Sequence, residues 1–436
     1  MQSSRKQFYF ALVIFGLVGQ IAWVVENMYL NVFLYQMFHA SAADIAAMVS
    51  ASAVTATLTT MLIGALSDKL GRRKVFICGG YILWGISILG FALLRADLLS
   101  AMFPTAASIS ALGVTLVILL DCLMTFFGSS ANDACFNAWL TDVTTSKDRG
   151  AVEGINAMMP MVAILAVFGG FMSFDLERME SWTVIFCLIG GVVLGIGVAG
   201  FFLIRDPALS TEANQNYFAN LVYGFRPGVI RQNFRLYLYL AAFAIFGISI
   251  QIFMPYLILY YTVSLQMENY VFVMAPAIVL AAGFTAVWGR VYDKRGLWRA
   301  IVPPLGLLCG GYVVLACFRG TPMVFLGSLL MMCGYLASTA VFGAVIRDCT
   351  PPNRAGMFQG LRIVAQVLLP GILGPGIGAY VLRNADTVVN GDGTTSFVPN
   401  ANIFWAALAV ALAVSAFLTG VYFLLRRRKE AENEVG

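Results

Sequence analysis

The chain has 436 residues, of which 60% are apolar and only 11% charged, with a formal charge of +5 and one histidine, His39. A water-soluble chain carries roughly 25% charged residues, so a large soluble domain is excluded, and with one histidine so are zinc chemistry and a Ser/His/Asp triad. The basic residues are spread through short loops rather than gathered on one face, which excludes a nucleic-acid partner.

Apolar runs long enough to cross a bilayer, about 20 residues each, recur at 8–37, 45–67, 75–94, 109–138, 151–172, 182–204, 235–263, 270–289, 300–318, 323–346, 356–382 and 402–425. They predict twelve transmembrane spans, numbered here in that order. The first run follows Arg5 and Lys6 as a signal peptide would. It is too long for an h-region, carries Gln20, Glu26, Asn27 and Asn31, and lacks a small-residue cleavage site, so it reads as a retained span. Cys78, Cys122, Cys135, Cys187, Cys309, Cys317, Cys333 and Cys349 form no CxxC pair and sit mostly inside apolar runs. They read as small core residues rather than ligands or disulfides, and no cofactor or metal is expected.

With both termini on one side of the membrane, the loops on that side hold 22 of the 27 Lys and Arg residues. That bias places both termini in the cytoplasm. The longest connection divides the chain into an N-terminal six-span bundle (1–204), a linker (205–233), a C-terminal six-span bundle (234–425) and a cytoplasmic tail (426–436). Within the linker, Tyr217–Arg231 is mildly amphipathic and is expected on the membrane surface. Arg426–Lys429 reads as an anchor to anionic lipid.

The halves repeat each other. Gly64-Ala-Leu-Ser-Asp68-Lys-Leu-Gly71-Arg72-Arg73-Lys74 follows span 2, and Gly289-Arg-Val-Tyr-Asp293-Lys-Arg-Gly296-Leu-Trp-Arg299 follows span 8, with Gly, Asp, Lys and Gly in register. A second pair follows spans 4 and 10: Asp142, Arg149, Gly150 and Gly154 against Asp348, Arg354, Gly356 and Gly360. Two repeats in matching topological positions indicate duplication of a six-helix unit.

The run Gly64–Lys74 closely resembles the loop motif of the major facilitator superfamily, G-x-L-x-D-x-x-G-R-[KR]-[KR], and the resemblance covers the whole chain. It implies an all-α membrane protein of twelve transmembrane helices in two pseudo-symmetric six-helix bundles that rock about a central site. It also implies a cytoplasmic charge latch at Asp68 and Arg72, with Gly64, Gly71, Arg73, Asp142, Arg149, Asp293, Asp348 and Arg354 as the surrounding gating set. The phrase Glu26-Asn27-Met28-Tyr29-Leu30-Asn31, the Pro255-Tyr256-Leu257 segment and the Arg-x-Gly stretch after span 4 are similar to the sugar–cation symporter branch that includes melibiose permease. That branch places acidic residues on spans 1, 2 and 4. Here Glu26 and Asp121 answer for spans 1 and 4, but span 2 (45–67) has no carboxylate, which leaves protons and sodium both open as the coupling cation. Drug exporters of the superfamily carry an arginine in span 4 and a Gly-Pro pattern in span 5, and neither is present. The similar Gly371-x-x-Gly374-Pro375-x-x-Gly378 in span 11 reads as a packing bend.

Ionisable groups inside a membrane are costly and functional by default; here they are Glu26, Asp121, Asp133 and Arg362. At about 1.5 Å per residue, Asp121 lies roughly 18 Å into span 4, near the midplane. Asp133 lies about 36 Å along, near the cytoplasm, and reads as a solvated or latch carboxylate. Asp121, Thr125, Gly128 and Asn132 share a polar stripe that should face a cavity. On span 1, Gln20, Trp23, Asn27 and Asn31 form a second stripe with Glu26 on its flank. Amides pair with sugar hydroxyls, and an indole offers an apolar face to a pyranose ring. Gln251, Tyr256 and Gln366 are the candidates of the second half, with Tyr260 following, and Asn156 and Met158 are placed at the cavity wall. Arg362 is open to three roles: anchoring a substrate carboxylate, pairing with Asp121 or Asp133, or steadying the cytoplasmic gate.

The residues thus predict a monomeric secondary transporter in a bacterial inner membrane, importing a small polar solute such as a sugar or glycoside with protons or sodium at Glu26 and Asp121. A drug exporter of the same superfamily and a non-transporting membrane sensor are the alternatives. For the latch, Asp68→Asn is expected to bias the protein towards inward-facing states with little effect on folding. Cysteine accessibility from the periplasmic side checks this, and unchanged accessibility would rule the latch out.

Overall fold

The computed structural model describes residues 2–144, 149–205, 223–267, 269–350, 355–390 and 393–435; the side chains of Asp68 and Arg149, and all of Arg354, lie outside the described residues. Lipid offers no hydrogen-bond partner to a backbone amide, so each apolar run must satisfy its own amides as a helix. In chain order the helices are α1 (2–38), α2 (Ala42–Leu70), α3 (Arg73–Phe91), α4 (Ile109–Val143), α5 (Arg149–Phe171) and α6 (Met179–Leu203). They continue as α7 (Phe234–Ser264), α8 (271–295), α9 (297–317), α10 (Thr321–Cys349), α11 (355–382) and α12 (Asn402–Val435). Among the described residues ten stretches are long and apolar enough to span a bilayer. One of them breaks at Gly296 into α8 and α9, and α5 contributes a shorter apolar stretch, Ile155–Phe171, so the twelve predicted spans are all present.

Local chemistry sets the ends. α1 stops at His39, which takes the left-handed conformation (φ 51°, ψ 39°) and donates its backbone N–H to the Leu34 and Tyr35 carbonyls. α2 then opens with a capping box: Ser41 N–H and Oγ donate to Asp44 Oδ2 at 2.9 and 2.7 Å, and Asp44 N–H returns to Ser41 Oγ at 3.2 Å. The repeated motif also finds its reason here. Gly71 (φ 61°) makes the turn from α2 to α3, and Gly296 (φ 71°, ψ 178°) makes the turn from α8 to α9. Both are backbone states that a Cβ disfavours. Both motifs differ from expectation in one respect: α2 stays helical through Leu70 and α8 through Arg295, so the charged residues before each glycine lie on a helix and not in a loop.

The chain forms two units by contact. The first holds α1–α6 together with Pro255–Leu259 and Asp386–Val398, and the second holds the remainder of α7–α12. In the first, α3 packs on α6 at backbone distance. A Cβ at Gly85 would lie 2.5 Å from Leu194 N, and one at Gly197 would lie 2.7 Å from Ile82 N. In the second, α9 meets α10 in the same way: Cβ atoms at Gly311 and Gly334 would sit 2.4 Å from the nitrogens of Met331 and Leu308. Small residues do this work because lipid supplies no hydrophobic drive between helices, and close approach maximises dispersion.

Sequence periodicity did not predict the hairpin of β1 (Thr387–Val389) and β2 (Thr395–Phe397), paired antiparallel with Thr387 opposite Phe397. It belongs to the first unit, where Tyr35 Oη donates to Phe397 O at 2.7 Å and Asn390 Nδ2 lies 3.1 Å from His39 Nδ1. The described part of the linker contains a single 3-10 turn, Tyr223–Phe225, and a short helix, Pro227–Gln232.

Gly334→Val is expected to lower stability by about 1–3 kcal/mol, because the backbone it meets cannot move aside as a side chain tip would. Gly283→Ala, which meets nothing within 4 Å, should be neutral or mildly stabilising. Thermal unfolding of the two variants in detergent checks the contrast.

Candidate coupling site

Among the described residues four helices are interrupted by π turns, at Val25–Tyr29 in α1, Ser129–Phe136 in α4, Tyr260–Ser264 in α7 and Val364–Leu368 in α11. Each π turn inserts residues into the helical register, and such turns concentrate at functional sites. Glu26 and Asn27 lie in the first, Asn132 and Asp133 in the second, and Gln366 in the last.

Glu26 is the centre of the first unit's polar interior, 7% exposed. Its Oε1 accepts from Ser52 Oγ of α2 at 2.8 Å and from Thr125 Oγ1 of α4 at 2.9 Å, and the two hydroxyls are themselves 2.8 Å apart. Asp121, 1% exposed, lies one turn from Thr125 on α4 and beside the same Ser52 hydroxyl. Glu26 Oε2 and Asp121 Oδ1 are buried with no hydrogen-bond partner. Among the described residues no Lys or Arg forms an ion pair with either acid. Two adjacent carboxyl groups without a countercharge are costly in an apolar core, and a bound proton or cation relieves that cost. Glu26 also opens on a small cleft whose other walls are Ala22, Val25, Leu30, Ile88, Phe91, Met124, Phe186 and Ile189. Those walls bring apolar side chains and no further oxygen ligand.

The span 1 stripe divides. Asn27 is exposed, while Gln20 and Trp23 are half-buried. Asn31 is fully buried and donates Nδ2 to Asn27 O at 2.9 Å, with its Oδ1 unpartnered. Asn27 Nδ2 in turn donates to Trp23 O at 2.8 Å. The amide donors are therefore directed to carbonyls in and beside the π turn.

On α4 the predicted stripe holds only in its first half. Asp121 and Thr125 join Glu26, but Gly128 packs under Trp23 and Trp84, and Asn132 donates to Tyr81 Oη at 2.7 Å. The π turn beginning at Ser129 shifts the register, so i+11 no longer returns to the same face. Asp133, read as a solvated or latch carboxylate, is half-buried: its Oδ2 accepts from Ser129 Oγ at 3.0 Å, and it is in no ion pair among the described residues. Tyr256 belongs to the first unit, is fully buried, and commits its hydroxyl to Ala42 O at 2.9 Å, which makes it an anchor and withdraws it from a solute. Gln251 and Gln366 are half-buried in the second unit, Gln251 with its backbone hard against Gly374 of α11.

In the gating set, Arg73 is the residue buried in an ion pair: Nε donates to Asp142 Oδ2 at 3.0 Å and Nη1 to Ser67 Oγ at 2.5 Å, whereas Arg72 is exposed. Gly64 packs near Ala134 and Gly71 makes the turn. The Asp68 and Arg149 side chains and Arg354 lie outside the described residues. In the second unit Tyr292 Oη donates to Asp348 Oδ2 at 2.5 Å, Asp293 is exposed, and Arg362 is half-buried with no ion-pair partner among the described residues. Ser52 is the participant that sequence reasoning missed. One hydroxyl in an Ala/Ser/Thr-rich helix carries no signal of its own.

A sequence profile of the Major Facilitator Superfamily matches residues 8–375. A search of curated protein sequences found no match. Among solved structures, a variant of the nucleoside transporter NupG superposes with a TM-score of 0.70 at 14% identity, covering 94% of this chain and 98% of its own. A D-xylose-proton symporter gives 0.68 at 13% identity, covering 94% and 97%. A bacterial homologue of the human lysosomal transporter Spinster, inward-facing and occupied, gives 0.66 at 16% identity, covering 96% and 97%. At these identities the likeness shows the fold alone. The profile match over most of the chain, on twelve helices carrying the repeated turn, means that the protein belongs to the Major Facilitator Superfamily of membrane transporters.

Proposed function

We propose that the protein is a proton-coupled symporter that imports a small, hydroxyl-rich ring solute, a sugar, glycoside or nucleoside, by alternating access across a bacterial inner membrane. It would act as a monomer with both termini in the cytoplasm. The observation that carries the coupling is the pair of buried acids, Glu26 and Asp121, held by Ser52 and Thr125 and in no ion pair with a Lys or Arg among the described residues. A proton suits the site better than sodium. The Ser52 and Thr125 hydroxyls already donate to Glu26 Oε1 and the cleft on Glu26 is otherwise lined by apolar side chains, so a proton on the acid pair needs no further ligand.

The solute class is supported by the Gln20, Trp23 and Asn27 face of α1, which offers amide and indole groups on the less buried side of the helix. The similar structures include a nucleoside transporter and a D-xylose-proton symporter, and both solutes are hydroxylated rings. The charge bias of the loops supports the orientation, and the lack of any N-x-[ST] sequon fits a bacterial source.

Uptake of a sugar and nucleoside panel into right-side-out and everted vesicles, with and without a proton gradient, tests the reading. Resistance to lipophilic cations without saccharide or nucleoside binding by calorimetry would overturn the solute class. Glu26→Gln and Asp121→Asn are each expected to abolish uphill accumulation, and at least one should retain exchange down a gradient; full concentrative uptake in both would dispose of the coupling assignment. Asn27→Ala removes an amide oxygen and should raise the half-saturation concentration roughly five- to a hundred-fold, equivalent to about 1–3 kcal/mol. Trp23→Phe should raise it more mildly.

A further inference from the structure

We infer that the β1–β2 hairpin is an acid-released strap on the first unit, with His39 as the group that senses the proton. The inference is independent of the coupling site. It concerns the far end of α1 and holds whichever ion drives transport.

The hairpin is a piece of the second half of the chain packed on the first. Residues Asp386–Val398 belong to the first unit, while Ala385 before them and Pro399 after them belong to the second. The segment is therefore held on one unit and tethered at both ends to the other, so movement between the units has to bend or release it. α1 ends after one crossing of the membrane, and the connection from α11 to α12 follows eleven. Both odd counts lead to the same face, which the loop charges make the extracytoplasmic one.

Two kinds of contact hold the strap. One is a phenol: Tyr35 Oη donates to Phe397 O at 2.7 Å, and the two rings meet edge-on with centroids 5.2 Å apart. The other turns on an imidazole. Asn390 Nδ2 lies 3.1 Å from His39 Nδ1 and 2.9 Å from both Thr394 Oγ1 and Ser396 Oγ, so one amide knits the two sides of the hairpin to the ring. An amide nitrogen can only donate. Nδ1 therefore accepts, and the imidazole that fits is neutral with its hydrogen on Nε2. The buried Ser396 hydroxyl, 3.4 Å from Nδ1, approaches the same lone pair. The backbone sets the ring's position, since His39 is the left-handed residue that ends α1, with its N–H bonded to the Leu34 and Tyr35 carbonyls.

Protonation reverses the contact. Nδ1 gains a hydrogen and loses its lone pair, and two donors then face each other. Turning the Asn390 amide over would offer its oxygen to the ring but withdraw its nitrogen from Thr394 and Ser396. Neutral His39 thus binds the hairpin and charged His39 loosens it. Of the elements around the ring, α1 brings the Tyr35 phenol, α2 brings Asp44, the Pro255–Leu259 segment brings the Tyr256 phenol, and the hairpin brings Asp386; the start of α4 brings no ionisable side chain. Tyr256 donates to Ala42 O, Asp44 Oδ2 is taken by Ser41, and Asp386 is exposed. Carboxyl and phenol groups ordinarily titrate on either side of the imidazole range, so mild acid acts on the strap through His39.

His39 is the only histidine of the chain, which makes the test clean. The full-length protein, in lipid nanodiscs and purified without a histidine tag, is labelled in its histidine ring nitrogens, with the proton as the probe. By nuclear magnetic resonance at about pH 8, Nδ1 should be unprotonated and accepting a hydrogen bond, and Asn390→Ala should shift its signal. Between about pH 8 and about pH 5, as Nδ1 gains its hydrogen, amide hydrogen exchange of β1 and β2, corrected for intrinsic rates, should rise roughly tenfold. His39→Gln should leave the corrected exchange flat across that range. Asn390→Asp, which sets a carboxylate against the imidazolium, should make exchange fall on acidification instead. The two wild-type measurements decide the matter even where a variant fails to fold: a hydrogen on Nδ1 at the alkaline end, or exchange that is flat while the ring titrates, overturns the inference. The same acid-induced rise in His39→Gln, or in Asn390→Asp, overturns it as well.

Discussion

Glu26 Oε1 holds two hydroxyl donors from two other helices, and that three-way contact organises the first unit. A carboxyl group in an apolar interior must either be satisfied or carry a proton, and one oxygen of Glu26 is satisfied while the other is not. The same division holds across the interior. Thr125 and Ser52 are committed, and Asp121 Oδ1, Asn31 Oδ1 and the Trp23 indole N–H are left without protein partners. Buried polar groups without partners are rare in folded proteins and mark sites of exchange.

The π turns explain how such groups survive in helices that otherwise satisfy their own backbones. At Val25–Tyr29 the altered register frees carbonyl positions that the Asn27 and Asn31 amides then approach. The amide donors are drawn inward to the backbone, and the oxygens are left outward or unpaired. At Ser129–Phe136 the same distortion separates two acids on one helix into different surroundings, Asp121 beside Glu26 and Asp133 beside Ser129. One secondary-structure irregularity thus sets both the pairing of the α1 amides and the division of the carboxyl groups.

After α2 and α8 the two halves keep a common turn but differ in charge contacts. Gly71 and Gly296 both hold positive φ, where a Cβ would be strained, so the glycine is retained in each copy of the motif. Arg73, with no counterpart in register in the second motif, is buried against Asp142 and Ser67. Asp348 instead accepts from Tyr292. Breaking a buried charge pair from one side is far more costly than breaking an exposed one, so the Arg73–Asp142 pair secures the α2–α3 turn, while Arg72 remains at the surface.

The sequence by itself determined the twelve spans, the internal repeat and the roster of intramembrane charges. The reason is physical: lipid forces every crossing segment to be apolar and self-bonded, so a carboxylate or a glycine turn stands out against a uniform background. Which of those groups meet was decided by the tertiary structure. The contact of Ser52 with Glu26 joins residues 26 apart, and that of Thr125 joins residues 99 apart; nothing in the local pattern of α2 distinguishes Ser52 from its neighbouring hydroxyls. The stripe on α4 was legible to Thr125 but not at Asn132, because an uninterrupted 3.6-residue period was assumed where a π turn intervenes. Tyr256 was a binding candidate as one of the residues following Gln251 on α7, and its hydroxyl goes to Ala42. Periodicity reports which face of a regular helix is buried; where the helix is irregular, only the packing around it decides what each side chain touches.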